Sequence, residues 1–174
     1  MRGLAFGLIA YGSLLWESAW GWLLRDVRGL FAAPELGLLV VVYLGLCGRG
    51  SPIALTAAAL AVGYLRDLLV GAPRGVEALA FALCALGARL VHGRVFLDRW
   101  GQLAVLAAAF AALHALLLML LATGDASLRT LLSLVASALC FGPFVLVFLR
   151  RVDDRIAPEQ RSLHLERDVG ARWR

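Results

Sequence analysis

Lysine is absent from this sequence: all 17 basic residues are arginine, and charged residues of either sign make up only 17% of the chain. We attribute the missing lysine to base composition, but the shortage of charge limits the class of protein. Hydrophobic residues make up 61% of the chain and its mean hydropathy is +0.83, whereas soluble domains contain roughly 45–50% apolar residues. The composition therefore excludes a soluble protein and predicts an integral membrane protein.

Residues that carry chemistry are also few and scattered. The three cysteines lie far apart in or beside apolar runs, without the close spacing of metal or redox motifs. The three histidines lie in a loop, in a helix and in the tail, so they cannot form one metal cluster. A glycine-rich phosphate loop, a nucleophile paired with a base, and a basic groove with interleaved aromatics are missing as well. The sequence therefore predicts a non-enzymatic protein with no catalytic residue, metal, cofactor or nucleic-acid partner.

Long apolar runs predict six transmembrane helices. A spanning helix needs about 20 mostly apolar residues, so the chain has room for six spans joined by short loops. The first run is too long for the roughly 7–15-residue core of a signal peptide, and we expect it to remain as a helix. Residues 1–150 are expected to form one compact all-α bundle, and residues 151–174 a charged, partly disordered tail. The predicted helices cover residues 3–24, 30–46, 53–70, 76–91, 103–122 and 130–149.

The distribution of arginine sets the expected orientation in the membrane. With six crossings both termini lie on one side, and 12 of the 17 arginines fall on that side against five on the other. Because positive residues favour the cytoplasmic side, both termini are expected to be cytoplasmic. Seven of these 12 arginines lie in residues 150–174, so the expected orientation depends on this end of the chain. The net charge of +5 also suits contact with anionic membrane lipids.

Acidic residues and glycines are set into the apolar runs between residues 34 and 75. Gly63, Asp67 and Gly71 follow one another at four-residue intervals and so share one face of the third predicted helix. Two glycines beside a carboxylate indicate that the backbone of a neighbouring helix packs close to Asp67. Gly75 follows at the same interval, where the apolar run has ended.

Pro34 and Glu35 lie near the beginning of the second predicted helix. Proline is tolerated in the first turn of a helix, and we place Pro34 there. Glu35 would then lie at the positive end of the helix dipole, where a carboxylate is stabilised.

The carboxylates of Glu35, Asp67 and Glu77 are expected to approach one another near the outer membrane surface. Such a group allows a polar ligand pocket or a weak cation site. We favour instead a structural pairing of these carboxylates with Arg66 and Arg74, since charges within membrane helices are usually paired.

Two other ionisable residues lie in predicted helices. Glu17 is interpreted as an interfacial residue among tryptophans, with a partnership with Arg66 as the alternative. His114 is interpreted as a satisfied or water-facing interior histidine, with a proton relay as the alternative.

Small side chains form stripes on two predicted helices. Such stripes allow close helix approach in lipid, where no hydrophobic force drives helices together. We interpret the stripe on the third helix as packing within the chain, and the longer one on the fifth as a candidate face for a partner helix, with internal packing as its alternative. The third-helix stripe is Ala54, Ala57, Ala58 and Ala61. The fifth-helix face is Ala104, Ala108, Ala111 and Ala115.

The order of these motifs resembles the signature of the MreD family of rod shape-determining membrane proteins. The family usually has Pro-Asp where this chain has Pro34-Glu35, which is a conservative departure. The resemblance extends from about residue 4 to residue 154 and agrees in length and in number of spans. It rests on Pro34, Glu35, a glycine-bearing turn, Gly63, Asp67, Gly71, Gly75 and the Arg-Arg-Val-Asp sequence at 150–153.

The resemblance implies a non-enzymatic inner-membrane component of the elongasome, which maintains rod shape during lateral peptidoglycan synthesis. The implied direct partner is MreC, with MreB, RodA and a class B penicillin-binding protein in the same complex. The implied fold is similar to that of the substrate-binding subunits of energy-coupling-factor vitamin transporters. A subunit of such a transporter is the alternative function, which the absence of a polar or aromatic ligand cluster in the sixth predicted helix disfavours.

Overall fold

The computed structural model describes residues 2–23, 35–47, 51–70, 75–92, 100–121 and 128–156. Within these ranges the chain is helical and contains no strand, as the all-α prediction requires. The six helices are α1 (Arg2–Leu23), α2 (Leu36–Leu46), α3 (Pro52–Val70), α4 (Val76–Val91), α5 (Trp100–Leu121) and α6 (Leu128–Ile156).

Two helix boundaries differ from those expected. Glu35 is not helical, so α2 begins at Leu36 rather than near residue 30. The placement of Pro34 in a first helical turn falls outside the described residues. At the other end of the chain, α6 continues through the charged residues to Ile156, seven residues past its predicted end at 149.

Among the described residues, three helices are long and apolar enough to cross a membrane, over Pro52–Leu69, Trp100–Leu121 and Leu131–Ile156. By contrast α2 has only 11 residues, which is about 17 Å of helix against a hydrocarbon layer of roughly 30 Å. The described part of the chain is therefore an all-helical membrane protein that combines full-length and short helices.

The short helix α2 is the centre of the bundle. Nine of its 11 residues are buried, and it packs against each of the other five helices. A helix that is apolar on every side is expected to be enclosed in this way. One core layer joins α2 to α3, α4 and α5, and a second joins it to α1, α5 and α6.

Successive helices run in opposite directions. As a result, α2, α4 and α6 all end at the same side of the bundle, as two contacts show. At one end, the His92 Nδ1 after α4 lies 2.6 Å from the Leu46 carbonyl oxygen of α2. Nearby, the Tyr43 hydroxyl of α2 donates to Asp153 of α6 at 3.3 Å. The ends of α2, α4 and α6 therefore lie together, and the starts of α2 and α4 lie at the opposite end of the bundle.

Candidate functional site

The first turn of α4 lies against the backbone of α3 at Gly63. A Cβ atom on Gly63 would lie 2.5 Å from the Ala78 Cα and 2.7 Å from the Glu77 carbonyl oxygen. Both distances are shorter than packed atoms tolerate, so only glycine allows this approach. The structure thus brings a neighbouring backbone against the Gly63 face, and it places the start of α4 beside Asp67.

We expect Gly63→Ala to destabilise the bundle by about 1–3 kcal/mol, because overpacking moves backbone rather than a flexible side chain. The thermal unfolding midpoint in detergent measures this effect. Gly12→Ala is the matched control, since Gly12 is also within a helix and has nothing within 4 Å of its added Cβ. Equal midpoints for the two variants would contradict the close α3–α4 approach.

The Asp67 side chain caps the start of α4. Its Oδ2 accepts hydrogen bonds from the backbone N–H groups of Gly75 at 2.8 Å and Ala78 at 3.4 Å, and its Oδ1 accepts one from Glu77 at 3.1 Å. Gly75 has a φ of 95°, in the left-handed region that favours glycine. Asp67 is 1% exposed, so a buried carboxylate occupies the positive end of this helix dipole.

Glu17 caps the start of α2 in the same way, although it lies 20 residues before Gly37 in the sequence. Its Oε1 accepts a hydrogen bond at 2.8 Å from the backbone N–H of Gly37, in the first turn of α2. Glu35 precedes this helix but makes no capping bond with its own side chain. Each of the two short helices therefore begins against a carboxylate from a neighbouring helix.

Arg66 joins three carboxylates from three parts of the chain. Its Nη2 donates to Glu35 Oε1 at 3.0 Å, while its Nε lies 3.7 Å from Glu77 Oε1 and 3.9 Å from Glu17 Oε2. The guanidinium also lies over the ring of Phe81, 5.6 Å from its centroid. One cation thus ties α1 and α3 to the starts of α2 and α4.

His114 completes this group from α5. Its imidazole is fully buried, with Nδ1 2.8 Å from Glu35 Oε2 and Nε2 2.9 Å from Glu77 Oε2. The ring of Phe81 meets it edge-on, with 5.3 Å between the centroids. We call Glu17, Glu35, Arg66, Glu77 and His114 the charge cluster.

The structure brings together only part of the predicted carboxylate group. Glu35 and Glu77 share Arg66, whereas Asp67 turns away to the start of α4. Arg74 and Gly71 lie outside the described residues.

Glu17 pairs with Arg66, the alternative that we had set below an interfacial position. His114 is buried between Glu35 and Glu77, although the sequence offered no partner for it. The available signal was an ionisable residue inside an apolar helix, which marks a functional or paired group by default.

The alanine stripes have different environments from those expected. On α5, Ala111 and Ala115 are buried within the chain, and Ala104 and Ala108 are half-buried. Ala107, beside this face, lies close to Gly142 of α6. A Cβ atom at residue 142 would overlap the Cβ of Ala107, so only glycine fits at that position. The α3 stripe, interpreted as internal packing, is exposed along Ala54, Ala57, Ala58 and Ala61.

The charged residues of the cluster pair with one another. Within the described ranges, no three His, Cys, Asp or Glu residues are arranged to hold a metal ion. The guanidinium of Arg66 and the imidazole of His114 fill the space between the carboxylates.

The comparison with protein families gives a match over most of the chain. The family model described as rod shape-determining protein MreD matches residues 9–152, a range that includes every residue of the charge cluster. Neither a curated protein nor a solved structure matches the chain.

Proposed function

Because the chain belongs to the MreD family of rod shape-determining proteins, we propose that it is a non-enzymatic scaffold of the bacterial elongasome. In this function it binds MreC directly in the inner membrane and shares a complex with MreB, RodA and a class B penicillin-binding protein. The match over residues 9–152 carries the proposal. The bundle supports it, because the polar groups inside it bind one another and so hold helices in place.

We propose six crossings with both termini in the cytoplasm. The alternating helix directions support this arrangement, as do the positions of the cluster residues along their helices. Glu17, Arg66 and His114 lie in the second halves of α1, α3 and α5, while Glu35 and Glu77 lie at the starts of α2 and α4. The charge cluster then lies in the outer half of the membrane.

We propose that the transmembrane helix of MreC docks on a small-residue face of the bundle. Ala104 and Ala108 of α5 remain half-exposed and form the face chosen from the sequence. The exposed α3 stripe around Ala58 is a second face of the same chemistry. Small residues on either helix allow the close backbone approach that drives association in lipid.

Ala108→Leu is expected to reduce recovery of MreC at least tenfold in detergent copurification, because the larger side chain separates the two helices. Ala58→Leu tests the α3 face in the same way. Val105→Leu is the control, since Val105 is on α5 and 67% exposed. Loss with only Ala58→Leu would move the docking site to α3, and full recovery with both variants would contradict small-residue docking.

Affinity purification of the tagged protein from its native membranes, followed by mass spectrometry, tests the function itself. We expect MreC to be recovered together with RodA and the penicillin-binding protein. Recovery of paired ATPases with a transmembrane coupling subunit, without MreC, would contradict the scaffold function.

A further inference from the structure

The imidazole of His114 has a carboxylate oxygen at both of its nitrogens. Nδ1 lies 2.8 Å from Glu35 and Nε2 lies 2.9 Å from Glu77. A neutral imidazole carries one N–H group, so it can donate to only one of these oxygens. The other nitrogen would then have no proton to offset the charge of the carboxylate oxygen beside it.

On the Glu35 side of the imidazole, two buried polar atoms lack a hydrogen bond. Although these atoms lie 2.8 Å apart, neither Glu35 Oε2 nor His114 Nδ1 makes a hydrogen bond, to each other or to another group in the described residues. Both side chains are more than nine-tenths buried, with His114 at 0% exposure and the Glu35 side chain at 7%. A buried carboxylate oxygen without a hydrogen bond is costly, and a positive charge on the imidazole 2.8 Å away offsets that cost.

The charge balance of the cluster points the same way. Its three glutamates and one arginine sum to a charge of −2 when the carboxylates are ionised and His114 is neutral. The positive ends of α2 and α4 offset part of this excess, although the Asp67 carboxylate adds to it at α4. A net charge inside membrane helices is unfavourable, and protonation of His114 reduces it by one.

We propose that the charge cluster is a proton-binding site, in which His114 is held as an imidazolium between Glu35 and Glu77. A hydronium ion gives its proton to the imidazole lone pair, so that an O–H bond breaks, an N–H bond forms and a water molecule is left. The positive charge on His114 then attracts the carboxylates of Glu35 and Glu77, and this attraction stabilises the packing of α5 against the starts of α2 and α4.

The titratable and charged groups around the site come from every other element that contributes to it. Arg66 of α3 contacts both glutamates, and Glu17 of α1 acts through Arg66. On α4 the buried Cys84 thiol is a further titratable group. Glu17 and Arg66 retain partial exposure, with side chains 11% and 14% exposed.

Nitrogen-15 NMR of the histidine-labelled protein in detergent tests the proposal without altering the site. His92→Gln and His164→Gln variants identify the signals of the other two histidines. We expect both ring nitrogens of His114 to be protonated at pH 7.5, which is the signature of the imidazolium. A neutral His114 tautomer at pH 7.5 would overturn the proposal.

Unfolding measurements test the consequence for stability. The unfolded chain releases the His114 proton above about pH 6.5, so the folding equilibrium constant should fall with rising pH, by up to tenfold per pH unit. The His92→Gln control should retain this slope. Glu77→Gln removes one carboxylate and should weaken proton binding at His114 at least tenfold by NMR. A pH-independent folding constant in the unaltered protein would refute the bound proton.

Discussion

Asp67→Ala is expected to destabilise the bundle by about 2–6 kcal/mol, because the buried backbone N–H groups of Glu77 and Ala78 lose their acceptor and each unpaired group costs about 1–3 kcal/mol. Within a membrane the chain has no bulk water to replace the carboxylate. Asp67→Asn keeps one oxygen acceptor and should have a smaller effect in the same direction. Thermal unfolding in detergent measures both variants.

Ser51→Ala is the matched control for the loss of a helix cap. The Ser51 hydroxyl accepts a hydrogen bond at 3.1 Å from the backbone N–H of Ala54 at the start of α3, but this cap is exposed. Its removal should cost about 1 kcal/mol or less, since water can replace it. Equal losses for Asp67→Ala and Ser51→Ala would show that water reaches the start of α4. Recovery of MreC per folded Asp67→Asn protein should be unchanged, because Asp67 faces the interior.

The apolar runs were sufficient to predict the number of helices and most of their boundaries. The start of α2 could not be predicted in this way, because it depends on Glu17, which caps the helix from 20 residues earlier in the chain. Local propensity carries no information about such a cap. The charged end of α6 was assigned to the tail for a similar reason, since Asp153 is buried there by contact with Tyr43 of α2.

The charge cluster was predictable only in part. Spacing identified Gly63 and Asp67 as one face, and the need to pair buried charges associated Arg66 with Glu35 and Glu77. The relative heights of helices in the membrane do not follow from helical periodicity, so nothing in the sequence aligned His114 of α5 with the start of α4. The same uncertainty placed Asp67 in the carboxylate group, although its oxygens bind the α4 backbone.

The charge cluster explains how two short helices can be held inside a membrane bundle. A helix of 11 residues gains little stability from its own hydrogen bonds, and isolated helices of that length are marginal even in water. Glu17 and Asp67 fix where α2 and α4 begin, while Arg66 fixes these starts relative to α1 and α3. The cluster thereby sets the shape of the surface that any partner meets.

Arg66→Met is expected to destabilise the bundle more than loss of any single glutamate of the charge cluster, by about 3–5 kcal/mol or more. Removal of one partner leaves the opposite buried charges uncompensated, and here three glutamates share the arginine. Arg66→Lys should recover only part of the loss, because a single ammonium cannot reproduce the planar fork of the guanidinium. The yield of folded protein in membranes and the unfolding midpoint in detergent both report the effect.

A double-variant cycle distinguishes charge pairing from packing as the contribution of Arg66. Glu35→Gln alone should destabilise the protein, because Arg66 and His114 each lose a carboxylate contact. In the Arg66→Met background the same substitution removes one of three carboxylates that only His114 still offsets, so it should raise the unfolding midpoint instead. A change of sign of this kind is a coupling free energy between neighbouring residues. If the two effects simply add, Arg66 stabilises the bundle through its contact with Phe81 and its packed side chain, and the carboxylates must be neutralised by protons alone.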